Sequence, residues 1–143
     1  MTLTDEQKAG VEETLARYCA AYQRRDLNAL LALMSPDISG YGAGRDEIFK
    51  NRHEYAPLLK RDLDQATAIH LEFVDVKISG QGPVAWVMSG CNCTFVARGQ
   101  DKQTMRVRMT FGLRNTGRCW LIEQLHLSVP NAGQAPGQSF SGE

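Results

Sequence analysis

The apolar pattern of this chain changes period at Ala66, and that change most constrains the fold. Up to that point apolar residues recur at helical spacing. Beyond it they alternate with period two through four long segments, about 67–79, 84–98, 102–114 and 118–129. The connections are short and turn-like: Gly80-Gln81-Gly82-Pro83, Arg98-Gly99-Gln100-Asp101 and Asn115-Thr116-Gly117. Consecutive segments therefore read as antiparallel hairpins. Helices followed by a long meander predict an α+β fold, with the helices covering one face of the sheet. Strands this long must curve, and Gly90 and Gly112 offer places for a bulge or bend. A curved sheet with helices on its concave side makes a cone whose mouth is a natural pocket. Its other face must meet water or a second copy of the chain.

The helical part begins with Thr4 and Gln7, a capping-box pair. Val11, Leu15, Tyr18 and Tyr22 then mark the apolar stripe of a helix over 4–24. Asp26 can cap a second helix over 27–34, which Ser35-Pro36-Asp37 should end, because a residue before proline avoids the helical region. Residues 38–44 read as a short strand and a tight glycine loop. Asp46 is the expected cap of a third helix over 47–64, with Ile48, Tyr55, Leu58, Leu59 and Leu63 buried and Pro57 as a possible kink.

At 143 residues the chain suits one domain, over 1–130, with a Gly-, Gln-, Ser- and Pro-rich tail over 131–143. Phe140 is an isolated aromatic that could anchor this tail across the pocket mouth or against a partner. Formal net charge is zero, which argues against general nucleic-acid binding. No apolar run is long enough to span a bilayer, and the acidic N-terminus is unlike a signal peptide, so a cytoplasmic protein is expected. Cys91 and Cys93 share one strand face, but a Cys-x-Cys pair is a poor zinc site. His53, His70 and Glu72 have no metal-ligand spacing, and Gly42-Ala43-Gly44 lacks the context of a dinucleotide fingerprint. Neither a metal nor a cofactor is expected.

The strand ending at Pro130 carries the main candidates. Strict alternation puts Trp120, Ile122, Gln124, His126 and Ser128 on one face, a mixed surface suited to a pocket wall. His126 is the candidate acid–base, since imidazole titrates near neutral pH. Tyr18 is a candidate hydrogen-bond donor, with Tyr22 one turn further along the same face. Met34, Tyr41, Trp86, Met109 and Phe111 could supply apolar walls, and Asn92 and Gln124 could orient a polar group. Asp46 and Glu47 form a tight acidic pair beside the glycine loop, read as a helix cap and a first-turn charge.

In order and spacing, several segments together resemble the nuclear transport factor 2-like superfamily and, within it, the SnoaL-like proteins. They are Arg17-Tyr18-Cys19-Ala20-Ala21 with Arg25-Asp26-Leu27, Gly42-Ala43-Gly44-x-Asp46-Glu47, Val84-Ala85-Trp86-Val87, and Trp120-x-Ile122-x-x-x-His126-x-Ser128-x-Pro130. The resemblance implies a cone-shaped α+β barrel and a homodimer packed through sheet faces. It also implies a pocket for a small molecule, though the superfamily holds both enzymes and non-catalytic modules. Against ketosteroid isomerase, the oxyanion-binding tyrosine falls on Tyr18, the general-base aspartate on Gly42 and the second acid on Met109. Against the association domain of calcium/calmodulin-dependent protein kinase, pocket arginines fall on Phe111 and Leu127. Both patterns are therefore broken here. Two functions remain open. One is a small-molecule enzyme that moves a proton or adds or removes water, using His126 and Tyr18. The other is a non-catalytic ligand-binding or dimerisation module.

Overall fold

Thr4 and Gln7 close the capping box: the Thr4 N–H donates to Gln7 Oε1 at 2.8 Å and the Gln7 N–H to Thr4 Oγ1 at 3.1 Å. They start α1 (Asp5–Arg24), which ends at Arg25 in the left-handed conformation, φ 52°. The structure, a computed structural model, describes residues 2–140. Asp26 caps α2 (Leu27–Leu31), accepting from the Ala29 N–H at 3.0 Å. This helix is shorter than the 27–34 expected, because Met34 already belongs to β1 (Met34–Tyr41). Pro36 is tolerated in β1 because the pairing with its neighbour lapses between Met34 and Ser39.

A two-residue strand, β2 (Ile48–Phe49), hairpins back on β1. The third helix, α3 (Arg52–Gln65), thus starts later than expected. Its cap is Asn51, whose side chain accepts from the Glu54 N–H at 2.9 Å, and not Asp46. Asp46 is instead spent on an ion pair with Arg61. Pro57 lies within α3 without ending it.

The expected meander follows as β3 (Ala66–Gln81), β4 (Val84–Ala97), β5 (Lys102–Asn115) and β6 (Trp120–Ser128). The sheet order is β2-β1-β6-β5-β4-β3, with β1 parallel to β6 and every other neighbour antiparallel. β2 and β3 sit at opposite edges, so the sheet is the expected curved cone and is left unclosed, which makes barrel a loose description of it. The helices lie against the concave face, where the core sits. Trp120 stands against α1 at Gly10, where an added Cβ would approach the indole to 2.7 Å. Thr14 fixes the same junction by donating to the Trp120 carbonyl at 2.7 Å.

Two bulges decide which side chains face inward. In β3 the pairing jumps from Val74–Gly90 to Lys77–Met88, with Asp75 at φ 53°. In β6 it jumps from Ile122–Leu113 to Gln124–Gly112, so Glu123 is the extra residue. An extra residue exchanges the faces of everything beyond it. Trp120 and Ile122 point inward before the bulge, and Leu125 and Leu127 point inward after it. The expectation that Trp120, Ile122, Gln124, His126 and Ser128 share one face is therefore corrected: Gln124 and His126 lie on the outer, convex face and are exposed.

Candidate functional site

The concave face and the helices enclose a cavity of about 310 Å³. Its walls are apolar. β3 supplies Ile69 and Leu71, β4 supplies Cys91, Cys93 and Phe95, β5 supplies Met105, Val107 and Met109, and β6 supplies Leu125 and Leu127. The inward parity of β5 is as its alternation predicts. The polar groups come from elsewhere. Helix α1 contributes Tyr18 and Tyr22, α3 contributes Tyr55 and Asp62, and the loop between β1 and β2 contributes Gly42, Ala43 and Glu47.

Tyr18 and Tyr22 are one helical turn apart, with ring centroids at 5.0 Å. Tyr18 also meets the Phe111 ring edge-on at 5.6 Å and lies beside Phe73. The Tyr55 ring stacks on Phe49 at 3.8 Å, which fixes it against the β2 hairpin. Burial pushes all three phenols well above their ordinary range, and the charge of each opposes ionisation of its neighbour. They remain neutral donors and acceptors. No buried side-chain polar atom lacks a partner among the described residues, so these hydroxyls bond one another or open onto the cavity.

Asp62 is the titratable group of this cluster with a value near neutral. Asp62 is exposed to solvent along one side and lines the cavity rim with the other, where neighbouring protein atoms crowd its carboxyl. That burial first, and the Glu47 carboxylate second, push it up from the ordinary 3.8 to about 6; Arg61 acts in the opposite sense. Glu47 is held by the backbone. Its Oε2 accepts from the Gly44 N–H at 2.8 Å, and its carbonyl accepts from the Gly42 N–H at 2.8 Å. A Cβ on Gly42 would fall 2.1 Å from Glu47 Oε2, so the glycine is what lets this carboxylate fold in. Arg61 clamps the loop from α3, donating to Asp46 at 2.5 and 3.2 Å and to Glu47 at 3.4 Å.

The residues expected at the site divide sharply. Tyr18, Tyr22, Tyr41 and Met109 line the cavity, with Tyr41 at its mouth, 53% exposed. Met34 and Phe111 are fully buried in the core and do not line it. Trp86, 54% exposed, is on the outer face, as are Gln124 and His126. Asn92 points the same way and donates to Glu72 at 3.4 Å. Period two dictates this split on β4: Cys91 and Cys93 face in, so Asn92 faces out. His126 approaches the cavity through Tyr41 alone, with ring centroids 5.6 Å apart. Residues 131–140 are exposed and none lines the cavity; Phe140, at 86% exposed, anchors nothing. Residues 141–143 of the expected tail lie outside the described residues.

Asp62, Tyr55 and Glu47 are the site residues that sequence reasoning missed. For two of them the signal was present: Tyr55, Leu58, Leu59 and Asp62 follow i, i+3, i+4, i+7, so Asp62 lies on the same side of α3 as the buried Tyr55 and Leu59, though it is itself exposed. The thiols of Cys91 and Cys93 also line the cavity, and burial raises both, Cys91 to about 11. They stay protonated and weakly nucleophilic.

Comparisons with known proteins agree with this fold. A family model described as a SnoaL-like domain matches residues 11–132. No curated protein matches the chain. Among solved structures, a protein from Streptomyces avermitilis, proposed as a dehydratase of the NTF2-like family, superposes with TM-score 0.84 at 18% identity. The match covers 90% of this chain and all, 100%, of that one. An NTF2-like protein of unknown function from Pseudomonas putida KT2440 gives 0.79 at 22% identity, covering 90% and 89% of the two chains. A ketosteroid isomerase-like protein from Erwinia carotovora atroseptica SCRI1043 gives 0.76 at 20%, covering 90% and 99%. At such identities these likenesses concern the fold alone. The family match spans most of the chain, and the chain belongs to the SnoaL-like domain family.

Proposed function

We propose that this chain binds a small, largely apolar molecule in the cone cavity and moves a proton at its polar end, with Asp62 as the acid–base. The observation that carries this reading is the Asp62 carboxyl, pushed up to about 6, lining a largely apolar cavity beside Glu47 and three neutral phenols. A base is most useful when its pKa lies near the working pH. Tyr18, Tyr22 and Tyr55 can hydrogen bond a carbonyl or hydroxyl and stabilise charge that develops on it. Isomerisation and the loss or gain of water both need that pairing. Asp62 takes the acid–base role expected of His126, because the Glu123 bulge turns His126 outward.

The methionines provide a test. Met105 and Met109 line the cavity, Met34 is in the core, and Met88 is exposed on the outer face. With methyl-labelled methionine, naphthalen-1-ylmethanol should shift the Met105 and Met109 signals and leave Met88 unmoved. Shifts at Met88 alone, or none, would refute the cavity as the binding site.

The outer face supports a second element of the proposal, a homodimer. Val84, Trp86 and Met88 are exposed along one side of β4, and Trp86 sits opposite Gly112, which leaves its ring uncovered. Contiguous apolar surface of this kind marks an interface.

A further inference from the structure

The charges around the cavity do not balance. Glu47 and Asp62 line it, and no Lys, Arg or His does so among the described residues. The cation behind them is Arg61, which is already shared between Asp46 and Glu47. Asp62 also faces Tyr22, Tyr55 and Cys93, none of which can offset a negative charge. The remaining walls are uncharged: the Gln65 amide, thiol, thioether and aliphatic groups, and the rings of Tyr18, Tyr22, Tyr41, Tyr55 and Phe95. Asp62 is exposed at the rim of this apolar space and is in no ion pair among the described residues, so a cation that enters beside it gains a charge-assisted contact. Aromatic faces favour the same charge.

We infer that the ligand of this cavity carries a protonated amine on an apolar body. Its N–H groups would donate to Asp62, its charge would offset the excess of carboxylates over Arg61, and its alkyl substituents would lie against the tyrosine rings. Anionic molecules are excluded by the same carboxylates. This inference rests on the cavity being the binding site. It adds the charge class of the ligand, which neither the family nor the structural neighbours specify.

Three probes of one shape test it: naphthalen-1-ylmethylamine, the isosteric naphthalen-1-ylmethanol, and 1-naphthoic acid. Affinities are measured by calorimetry at pH 7.5, on the wild type and on Asp62→Asn, whose fold is checked by circular dichroism. The amine should bind the wild type about tenfold more tightly than the alcohol, as one charge-assisted hydrogen bond allows. The acid should bind weakest. In Asp62→Asn the advantage of the amine should fall to about threefold or less, with the alcohol little changed. An alcohol that binds the wild type as tightly as the amine would overturn the inference while leaving the cavity reading intact. So would an amine advantage that survives Asp62→Asn. If none of the three binds, the cavity reading falls as well.

Discussion

The two faces of the sheet are made by the same strands yet differ in kind. The concave face of β4, β5 and β6 is almost wholly apolar, and the ionisable oxygens in the cavity come from the helices, from Tyr41 at the end of β1 and from the loop beside β2. The convex face of those strands carries Trp86, Met88, Asn92, Arg106, Arg108, Gln124 and His126. The sheet thus supplies the apolar walls of the cavity, while the helices and the loop beside β2 supply most of its polar groups. Position on a strand tells little about function until the face is known, and on β6 the face turns on one residue, Glu123.

The largest expected effect comes from exchanging what the two faces tolerate. Leu125 is 2% exposed inside the cone, and Gln124, its neighbour, is exposed outside. Leu125→Asp should destabilise the fold by about 3 kcal/mol or more, because it buries a charge with no partner. Gln124→Asp should change stability by no more than about 0.5 kcal/mol. Urea denaturation of the pair measures the contrast. Equal costs would mean that the bulge does not set the faces as described.

Disruption of the outer face should show as a change of assembly rather than of fold. Met88 and Trp86 are 67% and 54% exposed. Trp86→Glu with Met88→Glu should convert a dimer to a monomer in light scattering, with the circular dichroism spectrum kept. A wild type that is already monomeric at micromolar concentration would remove the convex face as a self-association surface.

Asp62 should have a smaller effect, with a sign fixed by linkage. Its carboxyl is raised in the folded state, so the fold binds the proton more tightly than the unfolded chain does. The resulting stability is fully present below the ordinary carboxylate value of 3.8 and is lost as pH rises through about 6. Because Asp62 is exposed to solvent, the contribution is discounted to about 1 kcal/mol. Asp62→Asn should therefore be more stable than the wild type at pH 7.5, and the difference should shrink toward pH 4.5. A destabilised Asn variant at pH 7.5 would mean that Asp62 is paired by a cation in solution.

Much of this architecture is written in local patterns. The Thr4–Gln7 box, the stripe Val11-Leu15-Tyr18-Tyr22 and the alternation Met105-Val107-Met109-Phe111 each report contacts that depend on neighbours a few residues away. The site is less legible because it depends on events with no local mark. Glu123 is an unremarkable strand residue, and the sequence around it does not announce that pairing with β5 will skip there. Gly42 can be read as an acid lost relative to ketosteroid isomerase. That reading cannot show that Glu47, five residues on, folds its own carboxylate into the space at Gly42. Asp62 was readable from its place on the α3 stripe, but a carboxylate on an apolar stripe acquires meaning only once the cavity beneath it is seen.

The smallest effect is expected at His126, and it separates the two faces most directly. The side chain is exposed on the convex face and its link to the cavity is the Tyr41 ring, 5.6 Å away and itself at the rim. His126→Ala removes no cavity atom and leaves the backbone pairing of β6 to β1 and β5 in place. Binding of naphthalen-1-ylmethanol should change by less than about twofold, which is about 0.4 kcal/mol. Tyr41→Ala removes a wall and should weaken binding more than that. If His126→Ala weakened binding as much as Tyr41→Ala, the histidine would be acting through the tyrosine, and the convex face would belong to the site. A histidine effect confined to light scattering would instead assign it to the dimer surface. The same pair of variants therefore decides whether His126 serves the inside of the cone or the outside.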